Sequence, residues 1–269
     1  MISSTFFFLL SQLAVGMLLT LLFVSPRVIG NGFFKFSSQT AAILMGVALG
    51  FDLMFPSPVR EGSLPFAFLL ASAALTVLYN LTVRTGRHRP AFALLVAATA
   101  AGLAAIGLDA MAFTRLMELG GWEHRLLAAN HLAATGLLGS GMLTMVFGHW
   151  YLVVPNLSID PLRLLTKVYL ATIGIRVLAV VLSLVVLEIE QGPGLAAVAS
   201  ELLVRQGLFF WPRIIFGVGI PLVLGAMIWS TVEIRHTQAA TGLLYLAVVT
   251  LLFGEFFSKF LLFGLRLPL

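Results

Sequence analysis

Two histidines on one apolar segment are the residues of this chain best suited to hold a redox cofactor. His131 and His149 are 18 residues apart within the apolar run 130–155. On a helix that turns about 100° and rises about 1.5 Å per residue, both lie on one face and ~27 Å apart. Each is therefore expected near one boundary of a bilayer core about 30 Å thick. Imidazole ligates haem iron and forms hydrogen bonds with quinones.

The residues around His149 predict one cofactor site in particular. Trp150 and Tyr151 follow it directly, and His236, before the last apolar segment, is expected on the same membrane face. Histidines from two helices supply both axial nitrogens of haem b, whereas a quinone needs a hydrogen-bond donor and an aromatic ring to pack on. His131 is the candidate at the opposite face. The alternative interpretation is that these residues cap helix ends or anchor the membrane interface as an aromatic belt.

Small residues on the same segment predict a close contact along this helix. Gly139, Gly141 and Gly148 lie between the two histidines. Small side chains allow either another helix or a flat ring to approach the backbone. We expect these three glycines to leave room for the ring of the cofactor.

Four charged residues in the last three apolar segments form a second candidate site. Arg176 and Glu255 lie at comparable depths in their segments, Lys259 follows Glu255 by one helical turn, and Arg213 begins the seventh segment. A charge buried in lipid is unfavourable without a partner, so we expect Arg176 and Glu255 to pair. The group is interpreted either as a structural ion pair that locks the helices, or as a proton relay or a site for an anionic ligand.

The composition requires an integral membrane protein. The 269 residues are 60% hydrophobic and only 10% charged, and the mean hydropathy is +1.05. Soluble domains carry about 25% charged residues, which excludes a soluble globule, a disordered chain and a nucleic-acid-binding module. The chain has no cysteine, so it supplies no Fe–S cluster. Known catalytic motifs are absent from the sequence, and we expect no metal other than a haem iron.

Eight apolar segments are long enough to cross a bilayer, which takes about 20 residues. They predict an all-α, polytopic membrane helix bundle of about eight transmembrane helices in a single domain. Residues 1–120 form a scaffold-like half, and residues 121–269 form the half that carries the intramembrane polar residues. The run 195–207 is interpreted either as a surface amphipathic helix or as a plain connector. The segments are Ser3–Val24, Phe33–Phe55, Pro65–Val83, Pro90–Phe113, Leu126–Val154, Pro161–Leu187, Leu208–Ile228 and Thr237–Phe263.

The distribution of Lys and Arg predicts the orientation of the chain. The two sides carry nearly equal numbers of these residues, but the densest cluster, Arg84 to Arg89, follows the third segment. The N-terminal tail has no positive charge. Because cytoplasmic loops are enriched in Lys and Arg, we expect both termini outside a bacterial inner membrane.

The plan of eight segments in a small single domain, with the run His149-Trp150-Tyr151, resembles a known class of membrane subunit. These are the quinol-interacting membrane anchors of bacterial respiratory complexes, of the DMSO-reductase and polysulfide-reductase type. The resemblance implies a subunit of an electron-transfer complex that binds quinone, haem b or both and assembles with other subunits. The alternatives are a small transporter or channel and a structural subunit without a cofactor.

Overall fold

The fold is a bundle of membrane-length helices. The computed structural model describes residues 2–55, 63–116, 121–154, 157–191 and 207–265, and all regular structure in these ranges is helical. The elements are α1 (Ile2–Leu21), α2 (Pro26–Ile29), α3 (Asn31–Met54), α4 (Ser63–Arg84), α5 (His88–Leu116), α6 (Gly121–Val153), α7 (Asp160–Gln191), α8 (Gly207–Ile214), a π-helical turn (Ile215–Gly219), α9 (Ile220–Glu233) and α10 (Thr237–Leu265).

Seven helical stretches in the described part of the chain are long and apolar enough to cross a membrane. The stretch Gly207–Glu233 is one of them and contains α8, the π turn and α9, which we call span 7. The shorter apolar stretch Thr5–Leu21 belongs to α1, the first predicted segment. The prediction of an all-α, multi-pass membrane bundle is confirmed. Most of the run 195–207 lies outside the described residues.

The helices form two four-helix units with the same order of contacts. In the first unit α1 packs on α3, α3 on α4, α4 on α5, and α5 returns to α1. In the second unit α6 packs on α7, α7 on span 7, span 7 on α10, and α10 returns to α6. This correspondence lies in the packing of the helices, and the sequence alone gave no visible repeat.

The two units join where α1 lies beside α6, the helix with the largest buried share among the seven stretches. Gly16 of α1 and Gly139 of α6 meet backbone to backbone, and a Cβ atom on Gly139 would collide with Gly16. Phe8 also contacts His131, so the helices run parallel, with earlier residues facing earlier residues. Glycine is required at this contact because only its lack of a side chain permits such a close approach.

Span 7 is interrupted near its start. Pro212 lies inside α8, and Pro221 lies in the first turn of α9. Proline removes a backbone donor and clashes with the preceding turn, which disturbs an α-helix. The five residues between these two elements form a π turn, a feature that is frequent at functional sites.

Candidate functional site

A lateral pocket lies at one end of the second unit, where α6 ends and α3 and α10 begin. We call this end of the bundle the His149 end. The cavity measures about 380 Å³, within the range of small-molecule sites. Its rim is exposed on the outer surface of the bundle, so a ligand could enter from the side. The walls include Phe36, Thr40, Met145, His149, Trp150 and Tyr245.

Three wall residues combine aromatic surface with polar atoms. The ring of His149 is exposed and lies edge-on to the ring of Tyr245, with 6.5 Å between the ring centroids. Trp150 packs against Phe33, and its far edge faces Gly32. The Trp150 Nε1 atom is buried and has no hydrogen-bond partner among the described residues. A buried indole N–H normally finds an acceptor, and this one has none among the described residues.

The structure brings two of the predicted site residues to this pocket and leaves two outside. His149 and Trp150 form its wall, whereas Tyr151 packs against the hydrophobic core. His236 precedes α10, nine residues before Tyr245. At about 1.5 Å per residue this corresponds to ~13 Å along the helix axis. His236 is not among the residues that line the pocket.

The glycines expected to make room for a ring serve helix packing. Gly139 lies against Gly16 of α1. A Cβ atom on Gly141 would lie 2.8 Å from Leu251, and one on Gly148 would lie 2.8 Å from Thr241, both on α10. The prediction that these glycines leave space for the cofactor ring is therefore wrong, because neighbouring helices occupy that space.

The four predicted charged residues meet in the interior of the second unit. Glu255 is 1% exposed and accepts two contacts of 3.0 Å from Arg176, one from Nε and one from Nη2. Arg213 Nη2 lies 3.7 Å from the same carboxylate oxygen, Oε1. Lys259 Nζ lies 3.7 Å from the other oxygen, Oε2. We call these four residues the charge cluster.

Polar neighbours complete the hydrogen bonding of Arg176. Its Nη1 donates to the side-chain oxygen of Asn130, and its Nη2 lies 3.5 Å from Ser258 Oγ. Asn130 in turn donates to Ser183. Asn130 and Ser258 were not predicted as site residues. The sequence did place each of them next to a predicted site residue: Asn130 precedes His131, and Ser258 precedes Lys259.

His131 lies beside the charge cluster, inside the helix bundle. It is 1% exposed, and its ring contacts Phe8 at 5.0 Å, the same ring over which Lys259 Nζ lies at 5.9 Å. Its Nδ1–H donates to the carbonyl of Leu127 at 2.9 Å. This bond leaves the lone pair on Nε2, which is buried and has no hydrogen-bond partner in the described residues.

Tyr245 is the pocket residue that sequence reasoning missed. It lies in the third turn of α10, and sequence alone does not fix the rotation of one helix against another. The indication in the sequence was that the last apolar segment, which contains Tyr245, is expected to begin on the membrane face where the segment of His149 ends.

The fold and the two sites define a polytopic helical membrane protein with a lateral aromatic pocket and a buried charge cluster. Comparisons of the chain with protein-family models, with curated proteins and with solved structures give no significant match.

Proposed function

We propose that this protein is an integral membrane subunit of an electron-transfer complex and binds a quinone in the pocket beside His149. The observation that supports this most is the lateral cavity with His149, Trp150 and Tyr245 on its wall. A quinone is a flat apolar ring with carbonyl acceptors, and it diffuses within the bilayer. A pocket with aromatic walls, a few donors and an opening toward lipid matches these properties.

The polar groups have distinct roles in this proposal. The Tyr245 hydroxyl donates a hydrogen bond to a quinone carbonyl, and the Trp150 ring packs against the quinone. His149 exchanges the proton that accompanies electron transfer, since an imidazole can both take up and release a proton. Its exposure keeps it within reach of water at the membrane boundary. We place the His149 end at the cytoplasmic face, with both termini outside.

The electrons pass to or from another subunit in this proposal. The chain has no cysteine for an Fe–S cluster, and the described part contains no group of three His, Asp or Glu residues able to hold a metal. Cofactor chemistry then requires a partner that carries its own redox centre. We favour quinone over haem b, because His149 lines the pocket and His236 does not.

A second function, transport, is favoured by one observation. The two four-helix units share one order of contacts and start on the same membrane face. Parallel repeats of this kind occur in some transporters, whose substrate site lies between the repeats. In this chain the contact between the units is closed at Gly16 and Gly139, which gives the quinone proposal more support.

Photoaffinity labelling tests the quinone site. The purified chain in lipid nanodiscs is treated with an azido-quinone, and the labelled peptides are identified with and without excess unmodified quinone. We expect competed labelling in the peptides that contain His149 and Tyr245. The variant His149→Ala should lower quinone affinity about tenfold, which corresponds to the loss of roughly 1.4 kcal/mol.

His236→Ala is the matched control because it removes another histidine at the same end outside the pocket. Its quinone affinity should equal that of the unmodified chain. Equal losses in both variants, together with loss of a Soret band, would support a haem between them and contradict the quinone pocket. Labelling that excess quinone does not reduce would contradict a specific quinone site.

A further inference from the structure

The charge cluster has more positive charge than its carboxylate can balance. Arg176, Arg213 and Lys259 surround Glu255, and the four side chains are 1%, 0%, 2% and 1% exposed. Among the described residues the group therefore has a formal excess of two positive charges. Buried charges persist in proteins when they are paired, and an uncompensated charge in the membrane interior is strongly unfavourable.

The contacts of the cluster show which cation lacks hydrogen-bond acceptors among the described residues. Arg176 is bonded to Glu255 and to Asn130. Among the described residues, Arg213 contacts the cluster through one atom pair, its Nη2 and Glu255 Oε1, which are 3.7 Å apart. Arg176 already donates to the same oxygen from both Nε and Nη2. The Nε, Nη1 and Nη2 atoms of Arg213 are all buried without a hydrogen-bond partner in the described part of the chain. A guanidinium has five N–H donors, so this site lacks acceptors.

The local backbone holds the Arg213 guanidinium in place. Gly217 lies in the π turn, and a Cβ atom there would collide with Arg213 Nη1. Gly254 of α10 packs backbone to backbone against Gly217, one residue before Glu255. Two glycines and the π turn thus make room for a buried guanidinium between span 7 and α10. Because the packing around Arg213 is tight, any ligand bound there must be small.

We propose that the charge cluster is a binding site for a small monovalent anion of the halide class, held by the Arg213 guanidinium within the membrane. The anion supplies the acceptor that Arg213 lacks and reduces the excess positive charge. Its position is separate from the quinone pocket, since Glu255 lies ten residues beyond Tyr245 on α10. At about 1.5 Å per residue this places the two sites ~15 Å apart along the helix.

Halide binding to the full chain in nanodiscs tests the proposal. Binding of radioactive chloride is measured at constant ionic strength, with gluconate as the replacement anion and with bromide as the competitor. We expect one saturable site per chain that bromide displaces. Thermal stability should rise by a few degrees as chloride replaces gluconate and should then level off, because a ligand that binds only the folded state stabilises it.

Variants of opposite charge separate binding from a merely structural role. Arg213→Gln should weaken chloride affinity at least tenfold, whereas Glu255→Gln, which removes the negative charge of the cluster, should strengthen it. Arg163→Gln is the control, because Arg163 is a partly exposed cation that pairs with Asp160. Its chloride affinity should remain unchanged.

Three outcomes would overturn the anion site. They are the absence of saturable chloride binding to the unmodified chain, equal affinity in Arg213→Gln, and displacement of chloride by formate but not by bromide. If Arg213→Gln does not fold, anomalous diffraction from crystals of the unmodified chain in bromide decides the question. A bromide peak in contact with Arg213 supports the site, and bromide found only elsewhere contradicts it.

Discussion

The two four-helix units pack their helices in the same order but bury different kinds of polar residue. Neutral groups join helices of the first unit, which also buries the side chain of Asp109. Ser72 donates to the carbonyl of Ala98 at 2.7 Å, and Asn80 donates to the carbonyl of Lys35 at 2.8 Å. In the second unit the helices meet around Glu255 and three cations. One arrangement of helices is thus built with two different chemistries.

The difference indicates that packing alone does not require the charge cluster. Hydroxyl and amide groups join membrane helices through hydrogen bonds at a modest energetic gain. Charged groups need closely matched partners to be tolerated at the same depth. A carboxylate with three cations around it is described in the second unit, beside the interrupted span 7, whereas the first unit buries the carboxyl side chain of Asp109 without such a group of cations among the described residues. This difference agrees with the anion site proposed for the second unit.

The largest expected effect comes from breaking the cluster. Glu255→Gln leaves three buried cations without their carboxylate, so we expect the free energy of unfolding to fall by about 3–5 kcal/mol. Reversible unfolding in mixed micelles measures this change. Adding Arg176→Gln should restore part of the loss, since it removes one uncompensated cation.

Ser72→Ala in the first unit is the matched control for Glu255→Gln. It removes one neutral hydrogen bond and should lower the free energy of unfolding by about 1 kcal/mol. Equal effects of the two variants would show that the units are held by interactions of the same strength, and the contrast between them would fail.

A smaller effect is expected where the two units meet. Gly139→Ala adds a methyl group where Gly16 already touches the backbone, so the helices must separate locally. Overpacking of this kind typically lowers the free energy of unfolding by about 1–3 kcal/mol. Gly136→Ala is the control on the same helix, because its Cβ would meet Thr172 at an ordinary 3.5 Å. Equal stability of the two variants, measured by unfolding in micelles, would contradict the close contact.

The sequence predicted a helical membrane protein because its few charged residues are too few to form the surface of a soluble protein. It also predicted that Arg176 and Glu255 lie at one depth, since depth follows from position along a helix of known rise. The rotation of each helix about its axis was not available from sequence. For that reason Tyr151 was expected in the pocket where the structure has Tyr245.

Two other features depended on tertiary contacts. Gly139 was compatible with a ring or with another helix, and only the position of Gly16 on α1 decides between them. Arg213 was placed at the start of its segment, but its approach to Glu255 depends on the π turn that follows it. Two prolines signalled an irregular helix there without specifying its form.

The smallest effect is expected from removing one hydroxyl group in the pocket of either unit at the His149 end. The first unit has a cavity of about 360 Å³ there, with Tyr79 and His88 among its wall residues. Tyr245→Phe removes one hydroxyl from the proposed quinone pocket and should lower quinone affinity about twofold to tenfold, the usual range for one hydrogen bond. Tyr79→Phe should leave that affinity unchanged. Titration of each variant with quinone in nanodiscs measures both values, and a loss confined to Tyr79→Phe would assign the quinone to the first unit.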